Sequence, residues 1–401
     1  MALDYDTGVG YENNSSGTYH NLVKKTWDTL LHEQVQNKLL WRDMIGADKG
    51  GEGSIDTQVS NFPVVEKTQL GKEAGDQITM GLVTNLGGDE YTASTGYDIG
   101  KSSTDQLVDN EGSLTFYYLL VKIGHHREGV LIKGKLTQKR SPFQLMQTAT
   151  DLLSTQLAKY KDDGLFFTFY AGYSPSAIRE LNLTTVTHPN MAYGKNKAAL
   201  TDVDTADVVD TDLLERLGVL VKVQNINPVM IDGKKCHGLI VHPYGMKTLR
   251  ADSAWQDSNR QALPRGEGNP IFTRADGRFA NIYVMEDNRV SVARVFGSVT
   301  ASSHAIGALA AATTTITSTD VRMNILFGAN AIARAVGVNE YMADRKEDDY
   351  GNLKGIAGGY VYGDRRADWL DDAASGTTKN QSSFIVYTSS PNPNSNISSI
   401  W

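Results

Sequence analysis

Apolar residues recur at intervals of three and four between positions 18 and 45, and charged residues lie between them. This spacing puts the apolar side chains on one side of a helix. The pattern predicts an amphipathic helix after a polar arm at residues 1–17, which is rich in Gly, Asn and Ser. Its apolar side packs either on the chain's own core or on a neighbouring copy. The apolar positions are Val23, Trp27, Leu30, Leu31, Val35, Leu39 and Leu40.

Residues 50–113 have a different pattern, with many glycines and only short apolar stretches such as residues 78–83. This composition predicts long extended strands and loops. A thin ribbon buries too little surface to be stable alone, because an isolated two-stranded hairpin is marginal in water. We therefore expect the segment to lie on another surface. The alternative is a disordered insertion, since length without apolar residues is also typical of flexible loops.

A strand and a long helix are predicted next. Residues 114–123, LTFYYLLVKI, are aromatic and β-branched, which is typical of a buried strand. Ser141 and Pro142 offer an N-cap and a first-turn proline for a helix at residues 142–171, about 45 Å long, that ends before Gly172. Its expected buried face consists of Phe143, Met146, Ala149, Leu153, Leu157 and Tyr160.

Beyond residue 202 the pattern alternates between helices and strands. The predicted elements are a helix at 212–221, a strand at 238–241, a helix at 243–252 and a strand at 281–285. An apolar run of small residues follows at 325–335, after an Ala, Thr and Ser stretch at 299–320 that has no repeat period. Residues 373–401 are rich in Ser, Asn, Gly and Thr and are expected to lie on the surface or on a neighbouring copy.

Composition narrows the class of protein. A chain of 401 residues suits one elaborated domain or two to three subdomains, and its net charge of −7 lacks the basic character of a dedicated nucleic-acid binder. Cys236 is the only cysteine, which excludes an intramolecular disulfide. No signal peptide and no apolar run of roughly 20 residues is found. We expect a protein that is made in a reducing cytoplasm and is neither secreted nor embedded in a membrane.

Histidine spacing indicates no metal site. His237 and His242 are five residues apart beside Cys236, but they flank a predicted strand and turn. Zinc motifs on helices need ligands that share one face, which this spacing does not supply. His125 and His126 are adjacent on a predicted strand, so their rings point to opposite faces. We predict no metal and no cofactor.

Other catalytic and ligand motifs are also incomplete. Residues 96–102 are one residue short of a phosphate-binding loop and do not follow a buried strand. Asp202 and Asp204 resemble the start of a calcium loop, but Leu213 stands where a bidentate Glu is required. We expect these aspartates to cap the next helix instead. The sequence predicts no catalytic residue.

The clearest charge cluster lies between residues 122 and 140, where six basic residues face a single acid, Glu128. It can contact a neighbouring copy, DNA or only solvent, and acidic runs at 202–215 and 344–349 are candidate complements. A mixed-charge segment at 364–372, DRRADWLDD, suits ion pairs between subunits or a solvated surface. The basic residues of the cluster are Lys122, Arg127, Lys133, Lys135, Lys139 and Arg140.

Six stretches follow one another in a characteristic order: KEAGDQIT from Lys72, LTFYYLLVKIGHHREGV from Leu114, HGLIVHPYGMKTLRAD from His237, NPIF from Asn269, FGANAIARAVG from Phe327 and DYGNLKG from Asp349. In this order they resemble the major capsid proteins of tailed phages, whose fold encapsulins share. More narrowly, they are similar to the major capsid family of short-tailed phages that carry a giant virion RNA polymerase, the N-four type. The resemblance spans roughly residues 20–370.

The resemblance implies an α+β protein with the tailed-phage major capsid fold. Some members of this family join their subunits through covalent crosslinks between lysine and asparagine. No such set of residues can be aligned in this sequence, so we predict no crosslinks. The implied parts are an N-terminal arm and helix at 1–49, an extended loop at 50–113, a peripheral domain at 114–204 that contains the spine helix at 142–171, an axial domain at 205–335, and a return to the peripheral domain with a C-terminal tail at 336–401.

The resemblance also implies a structural protein and not an enzyme. Copies would assemble into pentamers and hexamers of an icosahedral shell around double-stranded DNA, with the extended loop over a neighbour. Expected partners are the chain itself, portal and decoration or scaffolding proteins, and DNA through weak non-specific contacts, with no membrane. The expected location is the virion, after assembly in the host bacterial cytoplasm. The alternatives are an encapsulin-like compartment, distinguished by a packaged enzyme, and a soluble enzyme.

Overall fold

The computed structural model describes most of the chain from residue 31 onward. The motif at 96–102, nearly all of the stretch at 299–320, and the predicted cap at Ser141 and Pro142 lie outside the described residues. The described residues are 31–36, 38–47, 61–68, 75–83, 116–132, 145–172, 188–231, 234–262, 277–290, 292–295, 319–345, 354–371 and 378–391.

Three helices match predicted ones, and a fourth, at residues 253–262, was not predicted. They are α1 (Leu145–Ala171), α2 (Thr211–Val223), α3 (Pro243–Ala251) and α4 (Ser253–Ala262). Residues 31–36 and 38 are also helical, and we call this segment the arm helix. The predicted helix at 18–45 therefore has a different C-terminal end, since residues 40–41 form a turn, Arg42–Met44 form a short 3-10 helix, and a strand begins at Ile45.

Seventeen strands are present in the described residues and form three sheets. The strands are β1 (Ile45–Ala47), β2 (Val64–Lys67), β3 (Gln77–Val83), β4 (Phe116–Lys122), β5 (Gly124–Ile132), β6 (Met191–Tyr193), β7 (Val229–Ile231), β8 (Lys234–Val241), β9 (Gly277–Phe279), β10 (Ile282–Glu286), β11 (Val292–Val295), β12 (Thr319–Phe327), β13 (Ile332–Asp344), β14 (Lys354–Arg366), β15 (Trp369–Asp371), β16 (Thr378–Lys379) and β17 (Ser383–Pro391).

The strand orders separate two large sheets and one small sheet. A five-stranded sheet has the order β1-β2-β13-β14-β5, and a four-stranded sheet has the order β16-β15-β4-β3. An eight-stranded sheet has the order β6-β17-β12-β8-β10-β9, with β11 beside β12 and β7 beside β8. The predicted strands at 114–123, 238–241 and 281–285 are confirmed as β4, β8 and β10. The predicted apolar run at 325–335 contains the end of β12 and the start of β13, in different sheets.

The eight-stranded sheet is buried on both faces. Leu239 and Val241 of β8 pack with helices α2 and α3, whereas Ile240 between them packs with α1. The same alternation occurs on β17, where Ile385 faces α1 and Phe384 faces the other helices. Successive side chains of a strand point to opposite faces, so one sheet can serve two apolar clusters.

Helix α1 contacts both large sheets. Its N-terminal half places Ala149, Leu153 and Leu157 against the five-stranded sheet and the arm helix. Its C-terminal half is buried at every position from 164 to 171 and packs on the eight-stranded sheet. Of the predicted buried face, Ala149, Leu153 and Leu157 are confirmed and Tyr160 is half-buried, whereas the side chains of Phe143 and Met146 lie outside the described residues. The second apolar surface of the same helix, at residues 164–171, packs on the eight-stranded sheet, so α1 contacts one large sheet with each half.

The C-terminal end of α1 is capped by distant residues. Gly172 has a φ of +88°, which suits the left-handed position that ends many helices. The Arg366 guanidinium donates to the carbonyl oxygens of Phe169 and Tyr170, at 2.6 and 3.4 Å. The last carbonyl groups of a helix generally need partners from outside it, so the buried cation supplies hydrogen bonds here and complements the helix dipole.

The apolar side of the arm helix lies in the chain's own core. Leu31, Val35 and Leu39 are at most 1% exposed and pack with α1 and β14. The apolar side of this helix was expected to pack either on the chain's own core or on a neighbouring copy. The described part of the arm helix supports packing on the chain's own core.

Part of the segment at 50–113 is also core. Strand β2 lies between β1 and β13, and Val64 is fully buried. Strands β3 and β4 pair, and their residues Ile78, Met80, Leu119 and Val121 pack on β13. As expected, β2 and β3 lie on another surface, but that surface belongs to the same chain and not to a neighbouring copy.

The expectation of a surface segment at 373–401 was wrong for β17. This strand pairs with β12 from end to end, and residues 383–390 are all buried. Its many serines and threonines led to the prediction of an exposed segment. Inside the protein several of these hydroxyl groups have polar partners; the Thr388 hydroxyl, for example, accepts a hydrogen bond from the Asn324 side chain at 2.6 Å. Buried hydroxyls are tolerated where such partners exist.

The predicted cap of α2 was also wrong. Asp210, not Asp202 or Asp204, is the N-cap, and its carboxylate accepts from the Leu213 N–H at 3.0 Å. Asp204 instead pairs with Lys197 at 2.9 Å. A short 3-10 turn at Leu200–Asp202 and a further turn separate the earlier aspartates from the helix.

Adjacent leucines on α1 test the assigned packing. Leu153 is 1% exposed and Leu152 is 61% exposed. We expect Leu153→Ala to lower the free energy of unfolding by about 2–5 kcal/mol, because it leaves a cavity in a packed core. The control Leu152→Ala should stay within about 0.5 kcal/mol. Urea unfolding of the unassembled full-length chain measures both, and equal effects would contradict the packing.

Candidate functional site

The predicted basic cluster is divided by the fold. Lys122 ends β4 in the four-stranded sheet, whereas Arg127 lies on β5 in the five-stranded sheet, and both are exposed. Only Ile123 separates the two strands. The remaining members, Lys133, Lys135, Lys139 and Arg140, lie outside the described residues. The structure thus places the two described basic residues at exposed positions in different sheets.

Around Arg127 one face of the five-stranded sheet is open. The opposite face is covered by α1, since a Cβ atom on Gly358 would lie 3.0 Å from Leu157. On the open face Ala357 is exposed, and a Cβ atom on Gly129 would lie 3.5 Å from the Cβ of Ala357. These two positions form a flat floor of small side chains. We call this surface, made of Arg127, Gly129, Leu131, Ala357 and Val338, the open face.

Apolar and basic groups border the floor of the open face. Leu131 is 47% exposed and Val338 is 48% exposed. His125 Nε2 lies 2.5 Å from the Tyr341 hydroxyl. A Cβ atom on Gly359 would lie 2.8 Å from the same hydroxyl, so Tyr341 covers the sheet at Gly359. Exposed apolar residues beside small ones on a sheet are typical of a surface that another protein covers.

The open face continues to a sheet edge. Strand β5 is last in the strand order, and its paired edge is occupied by β14 alone. Within the described residues no strand pairs with its other edge. Such an edge offers backbone N–H and carbonyl groups to an added strand. The surface can therefore bind both by side-chain packing and by strand addition.

The mixed-charge segment at 364–372 makes its described ion pairs inside the chain, which corrects the expectation of pairs between subunits. Arg334 donates to both carboxylate oxygens of Asp364, at 2.7 and 2.9 Å, and both residues are at most 2% exposed. Arg366 pairs with Asp368 at 2.6 Å besides capping α1. Pairs as buried as these stabilise only as intact units, because either charge alone would be left without water.

The histidines considered for metal binding have structural roles. His242 is the N-cap of α3, where its Nδ1 accepts from the Tyr244 N–H at 3.2 Å, and burial together with Arg322 lowers its pKa to about 3. His237 is buried near the Ile226 carbonyl, at 3.3 Å. Within the described residues, no group of three or more His, Cys, Asp or Glu side chains is arranged to hold a metal ion.

His125 and His126 point to opposite faces, as predicted. His125 is exposed on the open face, and His126 is buried beside the rings of Tyr360 and Tyr362, at 5.3 and 5.5 Å. Burial lowers the pKa of His126. No helix in the described parts of the chain has the length and apolarity needed to cross a membrane.

Sequence reasoning identified the charge at Arg127 but missed the open face around it. Part of the signal was present, since Gly129 and Leu131 alternate with Glu128 and Val130 along β5. The pairing of β5 with β14 was not visible. Without it, Ala357 could not be placed beside Gly129.

Comparison with known proteins gives one consistent result. The sequence profile of a family described as phage capsid protein matches residues 22–392. A relative, the major capsid protein of Pseudomonas phage KPP25, is 25% identical over 285 residues, which cover 64% of this chain and 70% of the relative.

Solved capsid structures have the same fold. The chain resembles the capsid of Ralstonia phage GP4 with a TM-score of 0.63 and 19% identity, over 86% of this chain and 96% of that one. It resembles the cyanophage Pam1 capsid with a TM-score of 0.62 and 18% identity, over 88% and 92%. The predicted tailed-phage capsid fold is confirmed. The chain therefore belongs to the phage capsid protein family and is a bacteriophage structural protein, not an enzyme.

Proposed function

We propose that this chain is the major shell subunit of a tailed phage. Copies assemble into pentamers and hexamers of an icosahedral shell that encloses double-stranded DNA. The observation that carries the proposal is the family match over nearly the whole chain, residues 22–392. The open face supports it, because a subunit that works alone gains nothing from exposing Leu131 and Val338 on a small-residue floor.

The parts of the chain have corresponding proposed roles. The eight-stranded sheet with α2, α3 and α4 is the axial domain, and it includes β6 and β17 from outside residues 205–335. The five-stranded sheet with α1 as spine helix is the peripheral domain. The segment between β3 and β4 is the extended loop that lies over a neighbour. Of the basic cluster, we assign Arg127 to contacts between copies.

Further partners and relationships are also proposed. Portal and decoration or scaffolding proteins bind the shell, DNA makes weak non-specific contacts inside it, and assembly takes place in the host cytoplasm before the protein becomes part of the virion. The quoted sequence stretches support a place among the phages of the N-four type. An encapsulin-like compartment is the alternative, and a packaged enzyme in place of DNA would indicate it.

Assembly is the most direct test of the function. Full-length protein expressed alone or with its neighbouring head genes should form rings or closed particles that sediment far above the 43.8 kDa subunit. Electron microscopy of the sedimented fraction identifies pentamers and hexamers. A stable monomer under every assembly condition would overturn the proposal.

The open face is tested at Ala357. We expect Ala357→Glu to leave the subunit folded, because the side chain is exposed, and to abolish particles, because assembly would bury an unpaired carboxylate at a cost of several kcal/mol. The matched control Ala357→Ser should assemble. Sedimentation measures assembly and circular dichroism measures folding. Normal particles from folded Ala357→Glu protein would exclude this surface from the interface.

The extended loop is tested by replacement. Val83 and Phe116 are paired neighbours at the ends of β3 and β4, so residues 84–115 leave and return at one place. A two-residue Asn-Gly turn can join such strands directly. We expect the shortened chain to fold, with a thermal midpoint near that of the wild type, but to form no shells. Shells of normal size would contradict the assigned role.

A further inference from the structure

Side chains from the arm helix and from α1 both contact the Glu340 carboxylate on β13. The Glu340 carboxylate on β13 accepts a hydrogen bond from Lys161 of α1 at one oxygen and contacts His32 Nδ1 of the arm helix at the other. The Glu340 side chain is 1% exposed and that of Lys161 is 9% exposed, whereas His32 is 40% exposed. The arm helix thus closes the outer side of a buried ion pair.

The charges around this site are few and can be named individually. Glu66 on β2 is the other acid that acts on His32, and Lys161 is the cation that opposes it. The Lys161 ammonium lies 5.1 Å from the ring centre of Tyr360 and 5.5 Å from that of Tyr362. The nearby Arg334 charge is already neutralised by Asp364. Glu340 is therefore the acceptor that His32 and Lys161 share.

Protonation of His32 strengthens its contact with Glu340. The hydrogen bond to Glu340 raises the pKa of His32 above its ordinary value of 6.5, against the opposing effect of partial burial. Burial alone would raise the pKa of Glu340, but the hydrogen bond from His32 and the charge of Lys161 lower it to about 2. Glu340 thus stays ionised near neutral pH. Burial lowers the pKa of Lys161 against the opposing charge of Glu340, and His32 is the partly exposed group to which we assign the change of charge there.

We propose that His32 makes the docking of the arm helix proton-dependent, with Glu340 as the receiving group on the body of the subunit. When His32 loses its proton, Glu340 keeps its pair with Lys161, so a weaker arm contact leaves no unpaired buried charge. The core of the subunit is unaffected, and the change is confined to the arm. This inference rests on contacts within one chain and is independent of the shell proposed above.

The sign of the pH effect follows from the direction of the shift. A group with a raised pKa in the docked state stabilises docking fully below its ordinary pKa of 6.5, and this contribution is lost as the pH rises through the raised value. Docking is tightest at mildly acidic pH and weaker at alkaline pH. A second polar anchor, Lys38, donates to Ser154 at 2.7 Å and to Thr155 at 2.9 Å.

Hydrogen exchange of the full-length protein tests the proposal. Protection of backbone amides at residues 33–38 is measured from about pH 6 to about pH 9 and divided by that of residues 213–221 in α2, which cancels the intrinsic pH dependence of exchange. We expect the ratio to fall with rising pH in the wild type. In His32→Gln the ratio should be lower at pH 6 and should not change with pH.

A second variant separates proton dependence from general weakening. Lys38→Met removes the other anchor and should lower the ratio at every pH while keeping its fall with rising pH. A constant ratio in the wild type, or the same fall in His32→Gln, would overturn the proposal. Histidine-selective NMR of the same protein gives an independent check, because a His32 pKa at or below 6.5 would also overturn it.

Discussion

The fold depends on burying one long helix between two sheets. Helix α1 has 27 residues and is enclosed from position 164 to its end. A helix end without water leaves its last carbonyl groups unpaired, which costs free energy unless a donor replaces the solvent. Arg366 is that donor, and it comes from the end of β14 almost two hundred residues later. The same contact closes the helix and joins the five-stranded sheet to it.

Burial of α1 also decides which surfaces remain available. The helix covers one face of the five-stranded sheet, and the hairpin of β3 and β4 covers the other face at β13 and at the end of β14 near Gly363. The part of that second face around Gly129, Leu131 and Ala357 is exposed. A structural protein of a phage head must combine a stable subunit with unsatisfied surfaces, since assembly needs apolar area that is buried only between copies. The open face has this character.

Charge is arranged in the opposite way at two ion pairs that lie inside the subunit. Arg334 pairs with Asp364 and Lys161 pairs with Glu340, and all four side chains are less than 10% exposed. Buried pairs add little net stability over apolar packing, but they penalise any arrangement that separates them. They therefore favour one position of helix α1 relative to the five-stranded sheet. His32 is the partly exposed residue that contacts the Lys161–Glu340 pair. A change of solvent pH therefore alters this site through the protonation of His32.

Local sequence determined the elements, and tertiary structure decided their surroundings. Periodicity predicted α1, α2, α3, β4, β8 and β10, because amphipathic spacing and capping residues act within a few positions of the chain. The ordered stretches from Lys72 to Asp349 also predicted the capsid fold. The same reasoning misplaced β17, β2 and the 364–372 segment, since the partners of Thr388, Val64 and Asp364 are remote in sequence. Whether a serine-rich strand is exposed, or a charged segment faces solvent, depends on which distant groups surround it. Only the folded chain decides that.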